Sequence, residues 1–354
     1  MTIYDISEKA GVSIATVSRV LNGSSNVSEK TKKKVLDVIN QYEYTPNAFA
    51  RGLGLNTMKT IGIMCADSSD LYLAKAIYYL EQKLRANGYD SILCCTGYER
   101  ETKAAYMNLL ITKKVDGIIL VGSNFVYERD SDNKYIMDAA SQVPVMLLNA
   151  ALDASNVYSI VSDDFTSMYE ATLYMISTGV KDIVYFYNST SYSGKKKLAG
   201  YRAAMEEKKL LNGANLLQFY HGSHEDIPAM TEHLKKLHDK GLNFHGLIAA
   251  DDTLALAAVK YAKHMNYSIP EDFSILGYNN SMLANCCNPE LTSIDNKLET
   301  LCQHLITTLM GTLSGNEMPK KNSIFRRNRK TRHHAINRVQ YKLPYTNSIS
   351  NGGK

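Results

Sequence analysis

Between Gly11 and Gly23 the sequence GVSIATVSRVLNG sets one arginine and three hydroxyls among small and aliphatic residues. These side chains have a definite chemistry in common. A guanidinium can donate two parallel bonds to a guanine edge, and short apolar groups can touch a thymine methyl. Hydroxyls and amides can bond phosphate oxygens and so fix a register along a duplex. Ser13 is a good helix N-cap, and Val17, Val20 and Leu21 fall at spacings that turn them inward. Ile14, Ala15, Thr16, Ser18 and Arg19 are then left outward, on a face that suits a major groove. Thr2, Ser28, Thr31 and the amide of Asn22 add further candidate phosphate partners. An ordinary amphipathic hairpin with a solvated polar face has the same spacing, so the residues alone leave both readings open.

The elements that must position this face are legible nearby. TIYDISEKAG places Ile3, Ile6 and Ala10 on one side and ends in Gly11, as a helix C-terminus does. Two helices joined by so short a turn, with glycine in it, form a helix-turn-helix. A third apolar series, Val27, Val35, Val38 and Ile39, supplies the helix that closes a small core. The net charge of +5 divides unevenly along the chain. Residues 1–60 carry +3, residues 320–354 carry +10 with no acid, and the remainder carries −8. A basic head on an acidic body suits a polyanionic partner at that end, although charge alone favours a solvated surface.

After Tyr44 the chain reads TPNAFARGLGLNTMKT. Pro46 and Asn47 can start a helix, but Gly52 and Gly54 each cost about 1 kcal/mol inside one. So short a helix is unstable alone in water, and a flexible linker is the competing reading. From Ile61 onward, apolar runs (IGIMC, SILCC, GIILV, VPVMLL, DIVYFY, GLIAA, FSILGY) alternate with helical stretches. Those stretches lie near residues 71–87, 100–113, 164–178, 197–209, 228–239, 252–265 and 297–313. Such alternation implies parallel sheets with helices on both faces, and the number of strands implies two of them. A ligand is expected at the carboxyl ends of the strands, in the cleft between two subdomains.

An enzyme needs a reactive constellation, and neither G-x-G-x-x-G after the first strand, G-x-x-x-x-G-K-[ST] nor G-x-S-x-G is present. His221 and His224 in HGSH have a spacing that could serve a metal, but without carboxylate or cysteine company a solvated loop is the plainer reading. Asp251 and Asp252 are adjacent and read as one ligand contact and one helix N-terminal charge. The six cysteines form no C-x-x-C, so neither zinc nor a disulfide framework is indicated; Cys65, Cys94 and Cys95 end apolar runs and read as small core residues. No run of 18 apolar residues and no signal-peptide pattern is found, which makes a cytoplasmic protein without membrane contact the expectation.

The segment TIYDISEKAGVSIATVSRVLNGSSNVSEKTKKKVLDVINQYEYTPNAFARGL resembles the DNA-binding head of the LacI/GalR family of bacterial transcription regulators. The match is nearly continuous through AGVS..TVSRVLN and Y.PN..AR.L. The resemblance implies that Ile14, Ala15 and Arg19 read bases, while Thr2, Tyr4, Ser13, Thr16, Ser18, Asn22, Ser28 and Thr31 lie near the backbone. It also implies a hinge helix in which Leu53, flanked by Ala50 and Arg51, wedges into the minor groove of the operator.

The resemblance continues through KTIGIMCADSS, KKVDGIILVG, VPVMLLN, KKKLAGYRAAM, GLIAADDTLALAAV and ILGYNNSMLANCCNPELTSI, which are similar to the sugar-binding fold shared with periplasmic binding proteins. Carried across position by position, the effector contacts are Asp67, Tyr72, Thr96, Asn149, Ser193, Lys197, Asp251 and Asn279. These types suit a polyol. The family usually has Asp at the positions of Asn149 and Asn279 and Arg at that of Lys197, so the identity of the effector does not follow. With no tryptophan in the chain, stacking on a sugar falls to Tyr72, Tyr98 or another tyrosine.

The implied organisation is an all-α helix-turn-helix head over residues 1–46 and a hinge helix or linker over 47–60. An α/β effector-binding and dimerisation body of two doubly wound parallel-sheet subdomains follows over 61–325. Its first subdomain takes about 61–160 and 291–319, its second about 162–288. Leu298, Leu301, Leu305 and Leu309 form one stripe of a helix near the end. Beyond it the basic residues 326–354 depart from the family's ending and read as a disordered tail, a diverged last strand near Ser323 to Phe325, or a frame-changed terminus. The function implied is a homodimeric repressor of operator DNA, controlled by a sugar-like effector and needing no cofactor or metal. A sugar-processing enzyme with a DNA-binding head and a ligand-insensitive DNA binder are the rivals.

Overall fold

The computed structural model describes residues 1–23, 25–44, 57–211 and 216–323, together with the backbone of Ile336–Asn337. The head is three helices, α1 (Ile3–Ala10), α2 (Ile14–Leu21) and α3 (Glu29–Gln41). Thr2 and Asp5 form a capping box at the start of α1. Gly11 ends that helix at φ 58°, in the left-handed region that glycine tolerates, and its N–H bonds the Ser7 and Glu8 carbonyls. Ser13 and Ser28 cap α2 and α3. The core is small: Ile6, Ala10, Val17, Val20 and Val35 are buried, with Leu21, Val27, Val38 and Ile39 packed around them.

The body is two six-stranded sheets. The first contains β1 (Thr60–Cys65), β2 (Asp90–Cys95), β3 (Gly117–Val121), β4 (Val145–Leu148), β5 (Val157–Val161) and a late strand, Lys321–Ser323, in the order β2-β1-β3-β4-β5-late strand. All its pairings are parallel. Helices α4 (Leu71–Ala86), α5 (Arg100–Thr112) and α6 (Lys134–Ala140) cross between these strands. The second sheet contains β6 (Ile183–Tyr187), β7 (Leu217–Phe219), β8 (Gly246–Ala249), β9 (Ser274–Tyr278) and β10 (Thr292–Ile294) in the order β7-β6-β8-β9-β10. Its helices are α7 (Asp164–Ser177), α8 (Tyr192–Glu207), α9 (Ile227–Asp239), α10 (Asp252–His264) and the short α11 (Met282–Cys286). The last helix, α12 (Leu298–Leu313), returns to the first sheet, where Leu301, Leu305 and Leu309 are buried among residues of β1, β4 and α4. The late strand is β11 (Lys321–Ser323), and Ile336–Asn337 forms β12, antiparallel to β10.

Both sheets reverse direction of growth beside their first strand, and residues just past the carboxyl ends of β3, β4, β6, β8 and β9 line one cleft. Several expected boundaries shift. Thr292–Ile294 pairs with β9 and belongs to the second sheet, not to the first unit, because the chain finishes that sheet before α12 crosses back. The closing strand falls at Lys321–Ser323 and lies against β5 of the first sheet, and β12 sits inside the segment read as a disordered tail. Cys65 and Cys94 are buried, whereas Cys95 is exposed at the end of β2, an edge strand of its sheet. No helix among the described residues is long and apolar enough to cross a membrane.

Candidate functional site

On the head, the buried side of α2 is Val17 and Val20, and Ile14, Ala15 and Arg19 are exposed on the other. Tyr4 is 67% exposed beside them. The hydroxyls expected near a DNA backbone are engaged locally: Thr2, Ser13 and Ser28 accept from the N–H groups of Asp5, Thr16 and Thr31. Ser13 and Thr16 pair at 2.9 Å, Ser28 and Thr31 also at 2.9 Å, and Asn22 donates to Ser18 at 3.4 Å. Thr2, Ser13 and Ser28 therefore mark helix N-termini, whose positive dipole ends are themselves attractive to phosphate, whereas Ser18 and Asn22 lie at the C-terminal end of α2. Ala50, Arg51 and Leu53 lie outside the described residues.

The body's cleft, about 180 Å³, gathers side chains from both units. Of the eight residues carried over, Tyr72, Asn149, Ser193, Lys197, Asp251 and Asn279 line it. Asp67 and Thr96 do not. The Asp67 carboxylate turns back to accept from the N–H and hydroxyl of Ser69, both at 2.8 Å, which holds it below the usual carboxylate range. Thr96 is buried and its hydroxyl donates to the carbonyls of Gly97 and Cys65. The acid that reaches the cleft from the first unit is Asp70, the N-cap of α4, which accepts from Leu73 N–H at 2.9 Å. Burial pushes its carboxyl up.

Asp251 plays the matching part in the second unit, capping α10 through Leu254 N–H at 2.9 Å. Two capped helix N-termini thus meet across the cleft. His224, read from sequence as a loop residue, lies between them: its Nε2 is 3.5 Å from Asp70 and its Nδ1 3.8 Å from Asp251. The Asn188 amide sits 2.6 Å from Nδ1. With that amide donating, the ring proton sits on Nε2 and faces Asp70. The lips touch elsewhere as well, through Ser69 with Glu225 at 2.7 Å, Ser123 with Ser191 at 2.8 Å, and the Lys195–Glu128 ion pair.

Lys197 is the cation of the cleft. Its Nζ donates to the Ala250 carbonyl at 2.9 Å and stands 3.8 Å from the centroid of the Tyr278 ring. Burial lowers its pKa, and Asp164, Asp251, Asp252 and Asp70 oppose that shift. Tyr278 in turn donates to buried Asp164 at 2.5 Å. α8 starts at Tyr192, earlier than its apolar pattern indicates, so Ser193 and Lys197 fall one turn apart on one face.

Asn149 and Asn279 end β4 and β9 with φ of 64° and 97°. The Asn149 amide donates to the Tyr72 hydroxyl, while its Oδ1 is buried without a partner, as is the Ser281 hydroxyl. Such orphaned acceptors in a cleft wall suit a ligand bearing hydroxyl donors. Asp252 stands in the first turn of α10, as its sequence position indicates, but it is buried: it accepts from the Ser281 N–H and Ser293 hydroxyl at 2.6 Å each, and its pKa rises to about 6 through burial. Among the described residues no group of three or more His, Cys, Asp or Glu is placed to hold a metal.

Two family descriptions match the chain: bacterial regulatory proteins of the lacI family over residues 2–47, and a periplasmic binding protein-like domain over residues 172–332. An HTH-type transcriptional regulator of Lachnoclostridium phytofermentans is 55% identical over 324 residues, covering 92% of this chain and 96% of the relative. The HTH-type transcriptional regulator DegA of Bacillus subtilis is 31% identical over 295 residues, 83% of this chain and 86% of DegA. Among solved structures, the lac repressor dimer bound to operator and the anti-inducer ONPF superposes with a TM-score of 0.80 at 22% identity, over 91% of this chain and 96% of that one. A helix-turn-helix head, two parallel-sheet units of one strand order and this extent of identity together make the chain a member of the LacI family of bacterial transcription regulators.

Proposed function

We propose that this regulator is a homodimeric repressor released or engaged by a small polyol, most simply a sugar or sugar derivative. The observation that carries the reading is the cleft, where carboxylates, amides, hydroxyls and one lysine converge from both units with orphaned acceptors among them. Carboxylates and amides bind vicinal hydroxyl pairs, and Tyr98, 63% exposed at the rim, supplies an aromatic face for a sugar ring. A volume of about 180 Å³ is below the range of about 300–1,000 Å³ that houses drug-sized molecules, which favours a small ligand. Exposed Leu71 and Tyr78 on α4, with Met282 on α11, form an apolar surface that a second copy would bury. Two heads on one twofold axis would then read the halves of a pseudopalindrome.

Ligand and DNA are coupled only if the effector binds the DNA-competent and incompetent arrangements with different affinity. Because the cleft lies between the units, closing it on a ligand changes how they are set relative to each other and to the chain leading to the heads. The test is a thermal-shift screen of sugars and sugar derivatives, followed by operator binding in the presence of whatever raises the melting temperature. A ligand that stabilises the body and changes operator affinity supports the reading. Stabilisation by no small molecule, with operator binding intact, leaves a ligand-insensitive DNA binder in its place. Turnover of a bound sugar would instead favour an enzyme.

At the head, Arg19→Ala should cost about 1–3 kcal/mol at one base position. Equal loss on every sequence contradicts base reading. Leu53→Ala should weaken operator affinity while the fold stays intact, if that residue is the minor-groove wedge.

A further inference from the structure

We propose that Cys65 and Cys95 form a redox-sensitive dithiol, converted by a small hydroperoxide to an intrachain disulfide at the root of the ligand cleft. The two residues end β1 and β2 and are direct register partners. Their sulfurs are 3.7 Å apart, with both thiols free. Neighbouring strands lie about 4.8 Å apart, inside the Cα separation of about 4.4–6.8 Å that a disulfide spans. Side-chain rotation therefore suffices to bring the sulfurs together, and the backbone need not move far.

The pair is also asymmetric in access. Cys65 is fully buried and Cys95 is exposed on the edge of the sheet. Reactivity follows thiolate character and exposure, so Cys95 is the site of first attack. Burial pushes the Cys65 thiol up to about 12, so it stays protonated and the first reaction falls to the exposed sulfur. The other cysteines offer no equivalent arrangement. Cys94 packs on the opposite face of the sheet with Met64 and Met107, and the buried Cys302 thiol points at the Ala76 carbonyl at 3.8 Å.

The reaction with hydrogen peroxide balances in two steps. The Cys95 thiolate attacks one peroxide oxygen; the S–O bond forms, the O–O bond breaks, and the departing hydroxide takes the thiol proton to become water. The Cys65 sulfur then gives up its proton and attacks the Cys95 sulfur; the S–S bond forms, the S–O bond breaks, and hydroxide leaves with that proton as a second water. The two sulfurs together lose two electrons, which reduce the peroxide.

The location gives this bond mechanical reach. Just past the cysteines, Thr96 N–H bonds the Cys65 carbonyl at 2.8 Å and Gly97 N–H bonds the Ala66 carbonyl at 2.9 Å. The loops that leave these positions carry Asp70 and Tyr98 into the cleft. A disulfide would pin the edge strand to its neighbour where both loops begin.

The test uses the reduced full-length protein treated with hydrogen peroxide, then denatured for thiol titration and peptide mapping. The expected result is a fall from six free thiols to four, restored by dithiothreitol, with the Cys65 and Cys95 peptides joined within one chain. Cys95→Ser, a change at an exposed position, should leave its five thiols intact under the same treatment. Cys65→Ser should strand Cys95 as a sulfenic acid that a dimedone probe captures. In wild type, oxidation should also slow amide exchange at Thr96 and Gly97. Six thiols surviving treatment, a disulfide joining two chains, or thiol loss that persists in Cys95→Ser would each overturn the proposal.

Discussion

Asp252 permits a quantitative test of the body's architecture. Its carboxylate lies under the turn that follows β9, holding the Ser281 N–H and the Ser293 hydroxyl, and burial raises its pKa from 3.8 to about 6. A raised carboxyl binds its proton more tightly in the folded chain than in the unfolded one. Stability from this group is therefore fully present below the unfolded pKa and is lost as pH rises through about 6. The whole window corresponds to about 3 kcal/mol at 1.36 kcal/mol per pKa unit. Between pH 7.5 and pH 5, Asp252 alone should add about 1.4 kcal/mol, since at pH 5 most of the folded form but little of the unfolded form is protonated. Asparagine keeps both bonds, accepting from Ser281 and donating to Ser293, and it does not titrate. Urea unfolding of wild type and Asp252→Asn at several pH values measures the difference. The variant's relative stability should be greatest near pH 7.5 and shrink by about 1.4 kcal/mol on acidification to pH 5. Parallel curves for the two proteins would refute the raised pKa of this carboxylate and the desolvation argued as its cause.

Three further outcomes follow from neighbouring features. Gly277→Ala would place a methyl 2.3 Å from the Asp252 carboxylate oxygen, and overpacking of this kind should destabilise the body by about 1–3 kcal/mol in denaturant unfolding. Val17→Ala removes two methyl groups from the small head core, at about 0.8 kcal/mol each before any cavity cost. Circular dichroism should then show the head melting earlier while the body's transition stays in place. Lys197→Met keeps an unbranched side chain one atom shorter and without its charge, so the protein should remain folded while losing the thermal shift given by any polyol identified in the screen; retention of the full shift would remove Lys197 from the ligand contacts.

The head and the alternation of the body were legible because their signals are local. Capping hydroxyls, a C-terminal glycine and a 3.6-residue apolar repeat mark α1 to α3 without reference to the rest of the chain. β5 was harder to see, since buried Ser159 interrupts its apolar run. The start of α8 was hidden for a similar reason: SYSGKKK has no apolar period, and its first turn is held by the Ser191 cap and by contact with the other unit. Asp70, not Asp67, faces the cleft, and one local signal was available: an aspartate immediately before the helical run LYLAKAIYYL is an N-cap. Past the carboxyl end of β1, that position faces the cleft. His224 carried no such signal, because its role depends on Asp70 and Asp251 arriving from two different units. The sheet membership of β10 likewise rests on long-range pairing.

The head's economy bears on how such a regulator changes its targets. Val17 and Val20 tie α2 to the other two helices, and Ile14, Ala15 and Arg19 lie outside that core. Replacing the outer three would change the exposed face of α2 while the scaffold beneath keeps its shape. Under the base-reading proposed for that face, new binding preferences could be tried one residue at a time, without first repairing a damaged fold.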